Sequence, residues 1–189
     1  MAMPAFKRWT AREVRQLIAE NPLATPRYEL VDGELLVTPS PNALHQDAVY
    51  LLLRALNDYL KRNPVGYAYT SPFDVELEPE SVLQPDVFVV PMHEKRRLRH
   101  EMPGRELLVG AEVLSPSSGR YDRVTKRRLY QRHVAEYWIV DLDARLVERW
   151  QPNEERPEVL VATLLWSPAS ATETFRLDLP GYFAEILDE

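Results

Sequence analysis

Two acidic residues stand inside apolar stretches of this sequence, where a carboxylate is unfavourable unless something pairs with it. Asp86 opens the segment PDVFVVP, and Glu112 lies near the end of LLVGAEVL. Two ionised carboxylates on neighbouring strands would repel each other in a medium of low dielectric constant. A divalent cation between them would relieve that repulsion. Because the chain contains no cysteine and few histidines, the oxygen ligands favour Mg²⁺ or Mn²⁺ over zinc.

Each acid also has a structural interpretation when it is taken alone. Asp86 could form an Asx turn after Pro85, and Glu112 could pair with an arginine. The occurrence of both acids in apolar strands favours the functional interpretation, which is a metal site made of Asp86 and Glu112.

A lysine follows the second acid at the start of the next predicted helix, over residues 122–133. Lys126 falls on the same helical stripe as Tyr130 and Val134, and this position predicts that it points inward. A cation near a metal-bound phosphate could orient a water molecule or stabilise negative charge in the transition state. The alternative is a surface ion pair at i, i+4 between Asp122 and Lys126.

The elements that must position these residues alternate between helical and extended patterns. An Asp32-Gly33 turn inside RYELVDGELLVTP predicts a β-hairpin. The segment AEYWIVDLDARLVERWQP predicts two strands that are joined by a turn at residues 141–144. Two further helices are predicted at WTAREVRQLIAENP and PNALHQDAVYLLLRALNDYLKRN. Four strands are predicted at VGYAYT, PFDVELE, PDVFVVP and LLVGAEVL, and two edge strands at EVLVATLLW and ETFRLDLP. The segment GYFAEILDE predicts a terminal helical turn. This order predicts an α/β fold, an α+β mixed sheet with helices packed on it.

Composition limits the class of protein. The chain has 189 residues, of which 45% are hydrophobic, and this suits one domain over residues 1–189. We expect no membrane span, because no segment is apolar for long enough. No secretory signal is visible, and the absence of cysteine fits a reducing, cytoplasmic location.

Charge gives a mixed indication about nucleic acid. The net charge of −6 is not typical of a non-specific nucleic-acid binder. Positive charge is nevertheless concentrated in the loop EKRRLRH. Its basic residues could contact a DNA backbone or form a solvated face; they are Lys95, Arg96, Arg97 and Arg99.

Four ordered blocks of the sequence resemble a known family. YELVDGELLVTPSPNALHQ, LQPDVFVVP, EVLSPSSGRYDRVTKRRLY and EYWIVD are similar to the Uma2 family, in the PD-(D/E)XK nuclease superfamily. The resemblance extends over about residues 28–183. It implies a restriction endonuclease-like core at about residues 42–142, and hydrolysis of DNA phosphodiester bonds with Mg²⁺ or Mn²⁺.

The resemblance also implies roles for individual residues. Asp86 and Glu112 would bind the metal, and the backbone carbonyl of Val113 would be a third ligand. The superfamily pattern has a lysine two residues after the second acid, where this chain has Leu114. Lys126 is then the matching residue, displaced to the following helix.

Three further residues are weaker candidates. Glu34 matches a family position and could supply an extra carboxylate, although it could equally face solvent on the hairpin. His45, near the start of the long helix, could contact a phosphate or the site, or serve in capping or packing. Glu29 is the weakest candidate of the three.

The leading hypothesis is therefore a metal-dependent endonuclease that acts on DNA. One alternative is a catalytically weak or inactive nuclease fold that serves as a protein-interaction module, which the acidic charge and the displaced lysine favour. Another is a nuclease that acts on RNA. Cleavage of both DNA strands would favour a homodimer with two sites.

Overall fold

The computed structural model describes residues 7–21, 26–92, 102–103, 107–115 and 118–188. Lys95, Arg96, Arg97 and Arg99 lie outside the described residues. The helices are α1 (Ala11–Glu20), α2 (Ala43–Arg62), α3 (the consecutive segments Gly119–Tyr121, Asp122–Lys126 and Arg127–His133) and α4 (Leu179–Leu187). The strands are β1 (Arg27–Val31), β2 (Glu34–Thr38), β3 (Gly66–Thr70), β4 (Val75–Glu78), β5 (Ser81–Leu83), β6 (Val87–Pro91), β7 (Met102–Pro103), β8 (Val109–Val113), β9 (Tyr137–Asp141), β10 (Leu146–Trp150), β11 (Glu158–Leu160), β12 (Thr163–Trp166) and β13 (Phe175–Asp178).

The strands form three sheets, and the largest is mixed. Its order is β11-β10-β9-β8-β6-β3, with β8 and β9 parallel and the other neighbours antiparallel. The parallel pair is joined by a crossover through α3, as parallel pairing requires. A five-stranded sheet has the order β2-β1-β5-β4-β7, and β12 pairs with β13. The predicted α/β class with a mixed sheet is confirmed.

Alternation along the central strands divides the core between the two faces of the six-stranded sheet. Val87, Val89 and Ala111 face α2, α4 and the β12–β13 pair. Phe88 and Val90 face the opposite way, toward α3 and the five-stranded sheet. Because Glu112 follows Ala111, its side chain emerges on the α3 side of the sheet.

Local sequence signals account for several element boundaries. The side chain of Thr10 accepts a hydrogen bond from the Glu13 amide, and the Glu13 side chain accepts one from the Thr10 amide, so α1 begins with a capping box. The hairpin prediction is also confirmed, because Asp32 and Gly33 both have positive φ angles, as a type I′ turn requires.

Three predictions about elements need correction. EVLVATLLW is two strands, β11 and β12, which belong to different sheets and are separated by Val161 and Ala162. The segment GYFAEILDE belongs to the nine-residue helix α4 and is more than a single turn. Helix α3 begins at Gly119, three residues before the predicted start. Among the described residues, no helix is long and apolar enough to cross a membrane.

Candidate active site

Asp86 and Glu112 face each other at the ends of two adjacent strands. In the antiparallel pair of β6 and β8, Val87 lies opposite Ala111, so the next step of the register places Asp86 opposite Glu112. The Val113 amide donates a hydrogen bond of 2.9 Å to Oδ2 of Asp86. Both acids are buried, with 2% and 3% of their surface exposed. Strand pairing thus brings the two predicted metal ligands to one place.

The Asp86 carboxylate is surrounded by hydrogen-bond donors. Arg27 Nη1 lies 2.8 Å from Oδ1, and His45 Nε2 lies 3.0 Å from Oδ2. Burial alone would raise the pKa of Asp86, but His45, Arg27 and the Val113 amide outweigh burial and lower that pKa to about 2. Asp86 is therefore an ionised carboxylate at neutral pH.

The Glu112 carboxylate has fewer donors and more acidic neighbours. Its Oε1 atom accepts hydrogen bonds from Lys126 Nζ at 3.1 Å and from the Tyr130 hydroxyl at 3.0 Å. Burial raises the pKa of Glu112 well above its ordinary value, and Lys126 opposes that shift only in part. The nearby carboxylates of Asp86 and two other acids raise the pKa further. The ionised form of Glu112 is thus disfavoured by burial and by the neighbouring acids.

Lys126 points into the site and contacts three carboxylates. Its Nζ atom lies 2.8 Å from Glu29 Oε2, 3.1 Å from Glu112 Oε1 and 3.4 Å from Asp122 Oδ1. Burial of the ammonium would lower the pKa of Lys126, but the three carboxylates raise it well above its ordinary value. Lys126 is therefore charged, and the predicted inward orientation is confirmed by these contacts.

A π-helical turn in α3 places Lys126 and Asp122 on the buried side. The Arg127 amide donates to the carbonyl of Asp122, five residues earlier, and residues Asp122–Lys126 form one π-helical segment. Asp122 and Lys126 are 1% and 5% exposed, whereas Val124 between them is 42% exposed. Such π-helical turns occur often at functional sites. The i, i+4 pair of Asp122 and Lys126 is consequently buried and is not a surface ion pair.

These side chains line one cavity of about 540 Å³. Its wall includes the predicted site residues Asp86, Glu112, Val113, Lys126 and His45, and also Arg27, Glu29 and Asp122. On the side of α3 the wall continues with Arg120, Arg123 and, from the end of β9, Asp141. A volume of this size is typical of a binding pocket.

Glu34 is not brought to this cavity, which corrects one prediction. It is exposed and pairs with Val31 beside the hairpin turn, whereas Arg27 and Thr38 at the other end of the hairpin line the cavity. Four residues of strand separate the two ends, a distance of about 13 Å. The carboxylate that β1 and β2 do supply is Glu29.

Sequence reasoning missed the roles of Arg27 and Asp122 and ranked Glu29 too low. A signal for the strand residues exists, since Arg27 and Glu29 alternate with Tyr28 and Leu30 and so share one face of β1. Glu29 is only 2% exposed, and its Oε1 atom accepts a hydrogen bond from the Gln84 amide. The burial of Asp122 depends on the π-helical turn, for which the sequence gives no clear signal.

The donors in the cavity fit a hard divalent cation. In the part of the chain that the structure describes, no three Asp, Glu or His side chains form a ready group for a metal ion. Mg²⁺, however, often takes only one or two carboxylates, with water and substrate oxygens completing its shell. Asp86 and Glu112 meet that requirement. The Oδ1 atom of Asp122 is buried without a hydrogen bond, although Lys126 Nζ lies 3.4 Å away.

Comparisons with known proteins indicate the family and the fold of the chain. The model of the Uma2 family, described as "Putative restriction endonuclease", matches residues 12–180. A solved structure described as a putative nuclease belonging to DUF820 from Anabaena variabilis ATCC 29413 is similar to the chain, with a TM-score of 0.72 and 20% sequence identity. The similarity covers 85% of this chain and 92% of that one. No curated protein shows significant similarity in sequence.

Proposed function

The chain belongs to the Uma2 family of restriction endonuclease-like proteins, and from this premise we propose that it is a metal-dependent endonuclease that hydrolyses DNA phosphodiester bonds. The family and the fold support a nuclease. The observation that carries the proposal is the convergence of Asp86, Glu112 and Lys126, with Lys126 Nζ 3.1 Å from Glu112 Oε1. Two opposed acids beside a lysine are the groups that hydrolysis of a phosphodiester needs.

Asp86 and Glu112 would hold the metal ion, together with the backbone carbonyl of Val113. These are oxygen ligands on rigid strands, which suits Mg²⁺ or Mn²⁺. When bound, the ion supplies Lewis acidity that polarises the phosphate and activates a water molecule. Burial and the acidic neighbours disfavour the ionised form of Glu112, and a bound divalent cation would favour that form.

Lys126 contributes positive charge beside the reacting phosphate. Its amine is buried and held close to the acids by Glu29, Glu112 and Asp122, so the positive charge is already at the site. In this position it orients the attacking water or stabilises the negative charge that develops on the phosphoryl oxygens. His45, at the N-terminal end of α2, donates to Asp86 and so positions that carboxylate.

Arg120 is the best candidate for contact with the DNA backbone among the described residues. It lines the cavity, is exposed and forms no ion pair with another described residue. Arg27, Arg123 and Lys126, in contrast, are already paired with acids. Arg120 could therefore contact a phosphate without breaking an ion pair with any other described residue.

A cleavage assay tests the proposal. Purified protein is incubated with supercoiled DNA, single-stranded DNA and single-stranded RNA, each with MgCl₂, MnCl₂ or EDTA. We expect metal-dependent cleavage of DNA that falls about 100-fold or more in Glu112→Ala and Lys126→Ala. Glu34→Ala removes an exposed carboxylate outside the cavity and serves as the matched control, with activity like that of the wild type.

The same assay separates the alternatives. Cleavage of RNA in preference to DNA would support the RNA nuclease. An interaction module without catalysis would show no cleavage and no binding of Mg²⁺ or Mn²⁺ by calorimetry. In that case Asp86→Ala would affect neither a metal-dependent signal nor an activity, and the proposal would be abandoned.

A further inference from the structure

Among the described residues, the cavity contains more buried acids than buried cations. Glu29, Asp86, Glu112 and Asp122 are all buried, with 1% to 3% of their surface exposed. Asp86 is paired with Arg27 and contacts His45. Of the cations that the structure describes, the ammonium of Lys126 is the one that lies within 4 Å of the other three acids.

We propose that the Lys126 ammonium is a resident counter-ion of this cavity, which a divalent cation displaces from Glu112 on binding while Glu29 and Asp122 retain the amine beside the site. The inference rests on the proposed function, because it assumes that Asp86 and Glu112 bind a divalent cation. It goes beyond that function by giving Glu29 and Asp122 a role and by making Lys126 a competitor of the metal.

Lys126 and a divalent cation would compete for the same carboxylate, that of Glu112. Oε1 of Glu112 already accepts hydrogen bonds from Lys126 and Tyr130. A divalent cation on the same carboxylate would bring two positive charges within a few ångströms of each other at a buried position. Their repulsion is strong in a low-dielectric environment, so one of them must move away from Glu112.

The other two carboxylates give the displaced amine a place to go. Glu29 Oε2, at 2.8 Å, is already the nearest acceptor of Lys126 Nζ. Oδ1 of Asp122 is a buried acceptor without a hydrogen bond, and it lies 3.4 Å from the same nitrogen. A small shift of Nζ away from Glu112 would satisfy this oxygen. Glu29 and Asp122 are therefore positioning residues, which keep the amine near the reacting phosphate after the exchange.

The test measures metal affinity and needs no substrate. Isothermal titration calorimetry with MnCl₂, and then MgCl₂, is performed on the wild type and on Lys126→Met, which removes the charge and keeps much of the volume. Arg123→Met is the matched control, because Arg123 lines the same cavity but pairs with Asp141 and Glu148. It controls for loss of one positive charge without loss of a contact to Glu112.

We expect Lys126→Met to bind the metal at least about tenfold more tightly than the wild type, and Arg123→Met to remain within about threefold of it. Equal or weaker binding by Lys126→Met, in a wild type that does bind metal, overturns the inference and leaves the proposed function standing. If neither protein binds metal, both fail. An equal gain in metal affinity in Lys126→Met and Arg123→Met also overturns the inference, since the loss of any one positive charge from the cavity would then explain it.

A second pair of variants covers the case in which Lys126→Met does not fold without metal. The pair is Asp122→Asn and the double variant Lys126→Met/Asp122→Asn, which differ only at position 126. The double variant removes one negative and one positive charge, so the net charge of the cavity does not change. Thermal unfolding is followed as MnCl₂ is added. A larger metal-induced rise in Tm for the double variant supports the exchange, and an equal or smaller rise overturns it.

Discussion

The Nζ atom of Lys126 lies 3.1 Å from Oε1 of Glu112, although the two residues are 14 positions apart in the chain. A lysine two residues after Glu112 would directly follow β8, but this chain has Leu114 there, packed against apolar residues on the α3 side of the six-stranded sheet. The chain instead turns after β8, and α3 returns the lysine to the strand end. The charge is thus supplied from the helix, with Asp122 as an additional acid.

The crowding of acids predicts that Glu112→Gln stabilises the metal-free protein. Glutamine keeps an oxygen that accepts hydrogen bonds from Lys126 and Tyr130, and it removes a charge that burial and nearby acids disfavour. We expect the free energy of unfolding to rise by about 1–2 kcal/mol, measured by urea denaturation in EDTA. The stabilisation by added Mn²⁺ should be lost at the same time.

Glu136→Gln is the matched control for this prediction. Glu136 is also buried, but it accepts hydrogen bonds from the guanidinium of Arg149 and from Trp138 Nε1. Its replacement should lower the free energy of unfolding by about 1–3 kcal/mol. If Glu112→Gln destabilises the protein as Glu136→Gln does, then Glu112 is a structural acid.

Much of the fold and part of this site follow from short-range patterns. The hairpin at Asp32 and Gly33 and the capping box of α1 depend on adjacent residues, and the sequence predicts both. Asp86 and Glu112 are recognisable because an acid in an apolar strand is unusual whatever its partners are. Their opposition across β6 and β8 is consistent with that prediction.

The remaining site residues depend on information that local patterns lack. Glu29 is on a strand of the other sheet, and only the packing of the two sheets brings it to Lys126. Asp122 lies in a five-residue π-helical turn and is buried there, and helical periodicity in the sequence does not show where such a turn forms. Glu34 matches a family position and is therefore the stronger candidate from the sequence, but the motif does not show how far each hairpin residue lies from the site.

A second prediction concerns the pair of Arg27 and Asp86. Arg27→Met leaves a buried carboxylate without its guanidinium partner, since the two side chains are only 11% and 3% exposed. We expect the free energy of unfolding to fall by about 3 kcal/mol. Arg54→Met breaks the ion pair with Glu185, whose side chains are 48% and 54% exposed, and should cost less than about 1 kcal/mol. Equal effects of the two variants in urea denaturation would contradict the buried role of Arg27.

A third prediction concerns the glycine beneath Tyr130. A Cβ atom at position 110 would lie 2.8 Å from the Tyr130 ring, which cannot easily retreat because it stacks on Tyr137 at 4.3 Å. Gly110→Ala should therefore destabilise the protein by about 1–3 kcal/mol. It should also disturb the hydrogen bond from Tyr130 to Glu112, so we expect weaker metal binding in calorimetry.

Gly119→Ala is the control, because a Cβ atom there would lie 3.9 Å from Arg123 Nη1, which is an ordinary van der Waals contact. In the first turn of α3, alanine should be neutral or stabilise the protein by up to about 1 kcal/mol. Thermal unfolding of both variants distinguishes a steric effect from a general preference for glycine. A Gly110→Ala protein as stable as Gly119→Ala would mean that the Tyr130 ring has room to move.

The last prediction is a pH dependence that arises at the edge of the cavity. Oδ2 of Asp141 accepts a hydrogen bond from Arg123 Nη2 at 2.6 Å, and Oδ1 accepts one from the Ala144 amide at 2.9 Å. Burial alone would raise the pKa of Asp141, but the Ala144 amide and Arg123 outweigh burial and hold that pKa below its ordinary value. The unfolded chain therefore binds a proton at this residue more readily than the folded protein does. The resulting stabilisation is fully present above the ordinary aspartate pKa of about 3.9 and is lost as the pH falls below it.

Asp141→Asn should remove this contribution. Urea denaturation from about pH 5 down to about pH 3 should show wild-type stability declining more steeply than that of the variant, so that the difference between them shrinks as the pH falls. Asp143→Asn, in the same turn, removes an exposed charge and controls for the general effect of charge on stability. A difference between the wild type and Asp141→Asn that stays constant or widens over this range would show that the carboxylate of Asp141 is not stabilised by Arg123 and the Ala144 amide.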